Sequence, residues 1–158
     1  MSDPVHSVTP RIIAIANQKG GVGKTTTTIN LAAALAEGGL NILLVDIAPQ
    51  GNASTGLGID MLLGDTSPME AARQTNVDGL TIIPATTDLS SADMELISNE
   101  KRSFVLHDAL RQPAMKALEL DYILIDCPPS LNILTVNAMV AADSVLVPLQ
   151  SEFFALEG

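Results

Sequence analysis

The sequence predicts an α/β fold in which helices cover both faces of a mostly parallel, twisted sheet. Three observations point to it: short runs of consecutive apolar residues, helix-forming stretches between them, and a glycine-rich turn after the first run. Apolar residues at successive rather than alternate positions are typical of strands buried on both faces. The alternation of strand and helix favours βαβ units within one sheet.

Five apolar runs, each rich in Ile, Val or Leu, are the predicted strands. They are Ile12–Ala16, Ile42–Val45, Leu80–Ile83, Tyr122–Ile125 and Ser144–Val147. The clearest helix, Lys24–Glu37, is dense in Ala and Leu and stops at a Gly-Gly pair. Two further helices are predicted at Ser90–Arg111, with a break, and at Asn132–Ala142. The last strand is expected to be an unpaired apolar edge.

Composition limits the function classes. A chain of 158 residues has room for one sizeable core. With a net charge of −10 and eight Lys and Arg residues, it does not by itself resemble a DNA-binding surface. No apolar run is long enough to suggest a transmembrane helix, and residues 1–10, expected to be a flexible leader, carry no signal pattern. The single cysteine, Cys127, excludes a CxxC cluster and is expected to be a packing residue.

A phosphate loop follows the first predicted strand, and we use that name for residues 19–26. It consists of Lys19, Gly20, Gly21, Val22, Gly23, Lys24, Thr25 and Thr26. Glycines let backbone N–H groups turn inward around phosphate oxygens, and the following helix presents its N-terminus to them. Lys24 is placed to reach the β- and γ-phosphates and Thr25 to coordinate Mg²⁺. The sequence therefore predicts that the chain binds ATP and Mg²⁺.

The phosphate loop departs from the ordinary pattern, because Gln18 stands where a glycine is expected and Lys19 intrudes. It resembles the deviant Walker A box, KGGxGKT, of the superfamily that contains ParA, MinD and the nitrogenase iron protein. The resemblance implies a P-loop NTPase fold. It also implies that Lys19 reaches the nucleotide of a second subunit, so that the active unit is a homodimer with ATP sandwiched between subunits.

Two later segments extend the resemblance to ParA-type partition ATPases in particular. Residues 46–55 resemble the ParA segment D-x-D-P-Q-G-N, whereas MinD-like relatives differ after the aspartates. Residues 126–130 resemble the Walker B and switch region, in which Asp126 is a candidate Mg²⁺ ligand, acting through a water molecule. The similarity continues through Leu134, Thr135, Asn137, Ala138 and residues 152–158.

One position breaks the family pattern. The family has an aspartate where this chain has Ala48, and that carboxylate helps to orient the attacking water near the γ-phosphate. Phosphoryl transfer depends largely on positioning and electrostatics, so we expect slow hydrolysis with ATP binding retained. Asp46, Lys19 and Lys24 complete the catalytic candidates. We interpret Ala48 as a deliberate substitution that traps the ATP state, with natural divergence as the alternative.

ParA proteins usually continue past the position of Gly158, so residues 11–158 are expected to be the N-terminal portion of one ATPase domain. The resemblance implies a cytoplasmic, nucleoid-associated bacterial protein with no membrane contact. It would bind nonspecific DNA through the missing C-terminal part and segregate chromosome or plasmid DNA with a ParB-type partner. A MinD-like positioning ATPase is one alternative, disfavoured by residues 49–55. A nucleotide-binding and dimerisation module without turnover is another.

Overall fold

The computed structural model describes residues 9–17, 23–48, 67–84, 96–97 and 100–149. Within these residues, six strands form one sheet in the order β3-β4-β2-β5-β1-β6. The strands are β1 (Arg11–Ile15), β2 (Ile42–Asp46), β3 (Arg73–Gln74), β4 (Leu80–Ile83), β5 (Tyr122–Asp126) and β6 (Ser144–Leu146). Every neighbouring pair is parallel except β3 with β4. The predicted mostly parallel sheet is confirmed.

The described helices are α1 (Lys24–Glu37), α2 (Pro68–Ala71), α3 (Val105–Leu110) and α4 (Ile133–Ala141), with a 3-10 helix at Pro113–Leu118. The end of α1 falls at the predicted Gly-Gly pair, where Gly39 adopts the left-handed conformation with φ of 95°. The start of α4 is fixed by Asn132, whose side-chain oxygen accepts the N–H groups of Leu134 and Thr135. None of the described helices has the length and apolar character needed to span a membrane.

Successive residues of the central strands point to opposite faces of the sheet, so the chain builds two apolar layers. One layer packs against α1 and contains Ile15, Ala32, Ala36, Ile42, Leu44 and Leu124. The other packs against α3 and α4 and contains, among others, Ile12, Leu43, Val45, Leu106, Ile123, Ile125, Leu134 and Ala138. Helices therefore cover both faces, as predicted from the continuous apolar runs.

The sequence located all five parallel strands to within one residue at each end, but it missed β3. That strand has only two residues, both exposed and polar, and it pairs antiparallel with β4. In the predicted helix Ser90–Arg111, the described part contains helical residues at 96–97 and the short helix α3, with turns at residues 100–104. The prediction of a broken helix agrees with these residues.

β6 lies at the edge of the sheet and pairs with β1. Its residues Val145 and Leu146 are 45% and 37% exposed, and Val147 beyond it is 49% exposed. Backbone groups on the outer side of such a strand are available to another strand. The predicted apolar edge is therefore present in the fold.

Candidate functional site

The candidate site lies where β1, β2 and β5 end, and we call this end of the sheet the carboxyl edge. β5 sits between β1 and β2, and the register places Asp46 of β2 directly beside Asp126 of β5. Ile15, the last residue of β1, lies on the other side of Asp126. In parallel sheets ligands bind beyond the carboxyl ends of the strands, so these neighbours define where a ligand would sit.

Gly23 sets the direction in which α1 leaves the carboxyl edge. It is the N-cap residue, with φ of 77° in the left-handed region. A Cβ at this position would meet no atom within 4 Å, so glycine is needed for its backbone conformation rather than for space. The cap makes no side-chain hydrogen bond. The first N–H groups of α1 therefore form the anion-attracting end of the helix.

Lys24, the first residue of α1, is 9% exposed. Within the described part of the chain its ammonium forms no ion pair. Burial raises the pKa of the nearby Asp126 carboxyl, and the positive charge of Lys24 is one of two groups that oppose this rise. A buried cation without a paired carboxylate favours a negatively charged ligand, since burying an unpaired charge is costly.

Thr25 and Asp126 are in direct contact. The Thr25 hydroxyl donates to Oδ2 of Asp126 at 2.9 Å, while the other carboxylate oxygen, Oδ1, is buried and has no hydrogen-bond partner among the described residues. Burial raises the pKa of Asp126, and the Thr25 hydroxyl and the charge of Lys24 oppose that rise. Most buried polar atoms in proteins are satisfied, so an unpartnered carboxylate oxygen next to a hydroxyl suits a hard cation.

These groups fit Mg²⁺. A carboxylate and a threonine hydroxyl are oxygen donors of the kind that Mg²⁺ prefers, and Mg²⁺ usually takes its other ligands from phosphates and water. Across the described residues, no group of three or more His, Cys, Asp and Glu side chains could hold a metal by itself. A site with few protein ligands is therefore the arrangement that a nucleotide-bound Mg²⁺ would need.

The Asp46 side chain is hydrogen-bonded to the backbone just beyond its own strand. Its Oδ1 accepts the backbone N–H of Ala48 at 3.0 Å. Burial raises the pKa of Asp46 to about 6; the N–H of Ala48 lowers it, and the neighbouring charge of Asp126 raises it further. Two carboxyl groups with raised pKa values thus lie side by side, which is expected where a cation would otherwise separate them.

Ala48 is 3% exposed, and its methyl group offers no hydrogen-bonding atom. Its backbone is engaged with Asp46, so the position is fixed although the side chain is chemically inert. The role expected for a carboxylate here stays a prediction. Cys127, by contrast, is fully buried, and burial raises its pKa to about 12, as expected for a packing residue.

Comparison with known proteins places the chain in a protein family. Residues 10–158 match the model of a protein family described as an AAA domain. The chain belongs to this family. The AAA domain match covers all the described strands and helices, and together with the sheet order it confirms the predicted α/β P-loop NTPase fold.

Two partition proteins are similar to this AAA domain. The chromosome partitioning protein ParA of Caulobacter vibrioides (strain NA1000 / CB15N) is 57% identical over 94% of this chain and 59% of its own length. The sporulation initiation inhibitor protein Soj of Bacillus subtilis (strain 168) is 51% identical over 94% of this chain and 61% of its own length. The predicted resemblance to ParA-type proteins is confirmed, and the chain spans less than two thirds of these relatives.

A solved structure gives the same fold. Cobyrinic acid a,c-diamide synthase from Mycobacterium smegmatis, with bound ATP analog and magnesium, has a TM-score of 0.82 and 43% sequence identity. The match covers 93% of this chain and 63% of that chain. The AAA domain therefore shares its architecture with a protein whose structure contains the ligands that the phosphate loop and Asp126 suggest.

Several predicted site residues lie outside the described residues. They are Lys19, Gly20, Gly21 and Val22 of the phosphate loop, the ParA-like segment 49–55, and residues 152–158. Of the rest, the structure brings Lys24, Thr25, Asp46, Ala48 and Asp126 to the carboxyl edge, and Thr26 is exposed on the first turn of α1. The functional assignments of all these residues stay predictions.

Sequence reasoning gave no role to two buried polar residues of α4. The Thr135 hydroxyl donates to the carbonyl of Ser130 at 2.6 Å. The Asn137 side chain accepts the N–H of Leu106 at 3.1 Å and donates to the carbonyl of Arg102 at 2.7 Å. These bonds fasten the segment after Asp126 to α4, and α4 to α3. The sequence could have indicated these bonds, because uncharged polar residues inside an apolar helix usually have buried hydrogen-bond partners.

Proposed function

We propose that this protein is the nucleotide-binding portion of a DNA-partition ATPase that binds ATP with Mg²⁺ and dimerises in the ATP state. The observation that carries the proposal is the Thr25–Asp126 contact of 2.9 Å at the start of α1, beside a carboxylate oxygen that has no partner among the residues the structure describes. The 57% identity to a chromosome partitioning ParA supports the choice of partition among ATPase functions.

Different residues of the site would bind the phosphates and the Mg²⁺ ion. Backbone N–H groups of residues 20–26 would surround the phosphates, and Lys24 would neutralise the β- and γ-phosphates from its buried position. Thr25 and Asp126 would hold Mg²⁺, Asp126 through a water molecule. Bound Mg²⁺ would supply charge neutralisation for phosphoryl transfer. The bound ATP analog and magnesium of the solved relative support this assignment.

Hydrolysis in this chain is proposed to be impaired. Ala48 lies next to Asp46 at the end of β2, where the family resemblance places a water-orienting aspartate. A methyl group cannot accept a proton or a hydrogen bond from water. The ATP state would therefore persist, and a module that binds nucleotide without useful turnover is the second candidate for the chain as it stands.

The assembly partners belong to the same proposal. Lys19 would contact the nucleotide of a second copy, giving an ATP sandwich dimer. Residues 11–158 would be the N-terminal portion of a longer ATPase domain, consistent with their 59% coverage of the ParA relative. The remaining portion would bind nonspecific DNA, and a ParB-type protein would stimulate turnover. The protein would act in the bacterial cytoplasm at the nucleoid, without a membrane partner.

Two other functions have less support from the sequence. A MinD-like positioning ATPase is disfavoured by the sequence of residues 49–55, and an amide-forming synthase is named for a solved relative of 43% identity. The synthase is less similar to this chain than the two partition proteins are, at 57% and 51% identity. Fold alone does not assign a reaction, so measured nucleotide dependence must decide.

The decisive test is the molecular mass in solution, measured by light scattering with Mg-ATP and with Mg-ADP. We expect a dimer with Mg-ATP alone, and its loss in Thr25→Ala. Thr27→Ala is the matched control, because Thr27 lies two residues further along α1 and its backbone N–H bonds to Gly23. A mass that is the same with either nucleotide would overturn the proposed switch.

A further inference from the structure

The end of β1 is held from both sides at the point where the chain leaves it for the phosphate loop. On one side, the backbone N–H of Cys127 donates to the carbonyl of Ile15 at 3.1 Å. On the other, the N–H of Ala16 donates to the carbonyl of Leu146, also at 3.1 Å. These bonds connect β1 to β5 and to the edge strand β6, respectively.

The next bond on the β6 side is made by a side chain. Asn17 is half-buried, and its Nδ2 donates to the carbonyl of Pro148 at 2.7 Å. Acceptors that face one neighbour recur at every second residue along a parallel strand, so Pro148 follows Leu146 in the ladder. A backbone donor there would keep the main chain alongside β6. A side-chain donor continues the ladder and leaves the main chain free to turn away.

Both described ends of the segment that carries the phosphate loop are therefore fixed. Asn17 holds its beginning against Pro148, and Gly23, with φ of 77°, sets its end at the start of α1. Lys24 and Thr25 follow at once, with Thr25 bonded to Asp126. Fixing both ends of a segment reduces the conformational entropy that it can lose when a ligand arrives, so such anchoring favours phosphate binding.

We propose that Asn17 is a positioning residue for the nucleotide phosphates, acting through its hydrogen bond to Pro148 at the start of the phosphate loop. The inference rests on the proposed function, since it requires that the loop bind ATP. It adds to that function a residue outside the phosphate loop and outside the metal-binding pair. Its effect should be the same for ADP and ATP, because both present phosphates to the loop.

The chain offers a matched control at the opposite end of the sheet. Asn41 also donates from Nδ2 to a backbone carbonyl, that of Glu119, at 3.1 Å. Asn17→Ala and Asn41→Ala therefore both remove an amide donor from a backbone carbonyl. Dissociation constants for Mg-ADP and Mg-ATP would be measured by calorimetry. We expect a rise of about two- to tenfold for Asn17→Ala and of less than about twofold for Asn41→Ala.

A conservative variant separates positioning from folding. Asn17→Gln keeps an amide donor and should recover part of the affinity lost in Asn17→Ala. Should Asn17→Ala fail to fold, as judged by its melting curve, Asn17→Ser takes its place, because its shorter side chain cannot reach Pro148. If the unchanged protein binds nucleotide and the Asn17 and Asn41 variants bind equally well, this inference alone is wrong. If the unchanged protein binds neither nucleotide, the proposed function is wrong as well.

Discussion

The two ends of the sheet differ in how their polar groups are hydrogen-bonded. We call the end where the strands begin the amino edge. There, Asp121 accepts the backbone N–H of Asn41 at 2.8 Å, and Asp143 accepts that of Ile12 at the same distance. The guanidinium of Arg11 donates to the hydroxyl of Ser144. Asp121 and Asp143 thus each bind a backbone N–H at the start of a strand.

At the carboxyl edge the polar groups are left incomplete. In the described part of the chain, Oδ1 of Asp126 is buried without a partner and Lys24 is buried without an ion pair. The pKa of Asp46 is raised to about 6. Such groups lower the stability of the free protein and are expected where a ligand completes them. The polar groups of the amino edge therefore stabilise the sheet, while those of the carboxyl edge are able to bind a ligand.

The largest expected effect is a gain of ATPase activity in Ala48→Asp. A carboxylate at this position would orient the attacking water, and such groups typically contribute about a hundredfold or more to rate. The measurement is phosphate release under single-turnover conditions. It is made on a chain extended to the full length of the ParA relatives. Ala48→Asn is the control, because it adds equal volume without a charge and should stay slow. Equal rates for alanine and aspartate would remove Ala48 from the catalytic account.

The pH dependence of stability offers a second way to sharpen the comparison. Burial raises the pKa of Asp46 to about 6 in the folded state, against about 3.9 for an unperturbed aspartate, so the folded state holds its proton more tightly. This contribution to stability is fully present below the unfolded pKa and is lost as pH rises through about 6. The loss is at most about 3 kcal/mol. Melting temperatures in metal-free buffer at about pH 5 and about pH 7 would measure it.

Asp46→Asn is the control for that measurement. The amide oxygen can still accept the N–H of Ala48, but the side chain no longer titrates. We expect the variant to lose less stability between the two pH values than the unchanged protein does. Mg²⁺ with nucleotide should reduce the difference as well, since a cation offsets the repulsion between Asp46 and Asp126. An identical pH profile in the variant would contradict the raised pKa.

Asp126→Asn tests the unpartnered oxygen directly. The Thr25 hydroxyl can still donate to the amide oxygen, so the local fold should survive. Removal of the charge should weaken Mg²⁺-dependent nucleotide binding at least about tenfold, while the metal-free protein becomes no less stable because a buried charge is gone. Binding of nucleotide with and without Mg²⁺ would be titrated. A variant that keeps its Mg²⁺ dependence would contradict the assigned metal role.

The sequence predicted the fold well because each central strand is apolar at successive positions, α1 lies between glycines and α4 begins after Asn132. It also predicted Thr25 and Asp126 as Mg²⁺ ligands and Lys24 as a phosphate contact, and the structure brings these three residues to one edge of the sheet. It could not predict that Oδ1 of Asp126 lacks a partner, since that depends on the register of β2 with β5. Asn17 was missed for a similar reason: its acceptor, Pro148, lies beyond a distant strand.

The smallest expected effect belongs to the amino edge. Asp143→Ala removes the acceptor for the buried N–H of Ile12 and one charge of the 3.9 Å pair with Arg111. The pair is partly exposed and contributes little, so the lost backbone acceptor should dominate, at about 1–2 kcal/mol. Urea unfolding would measure the loss, and nucleotide affinity should be unchanged within about twofold. A marked loss of affinity here, without a loss at Asp126→Asn, would reverse the roles assigned to the two edges. The decisive quantity is therefore the ratio of stability change to affinity change, which should be large for Asp143 and small for Asp126.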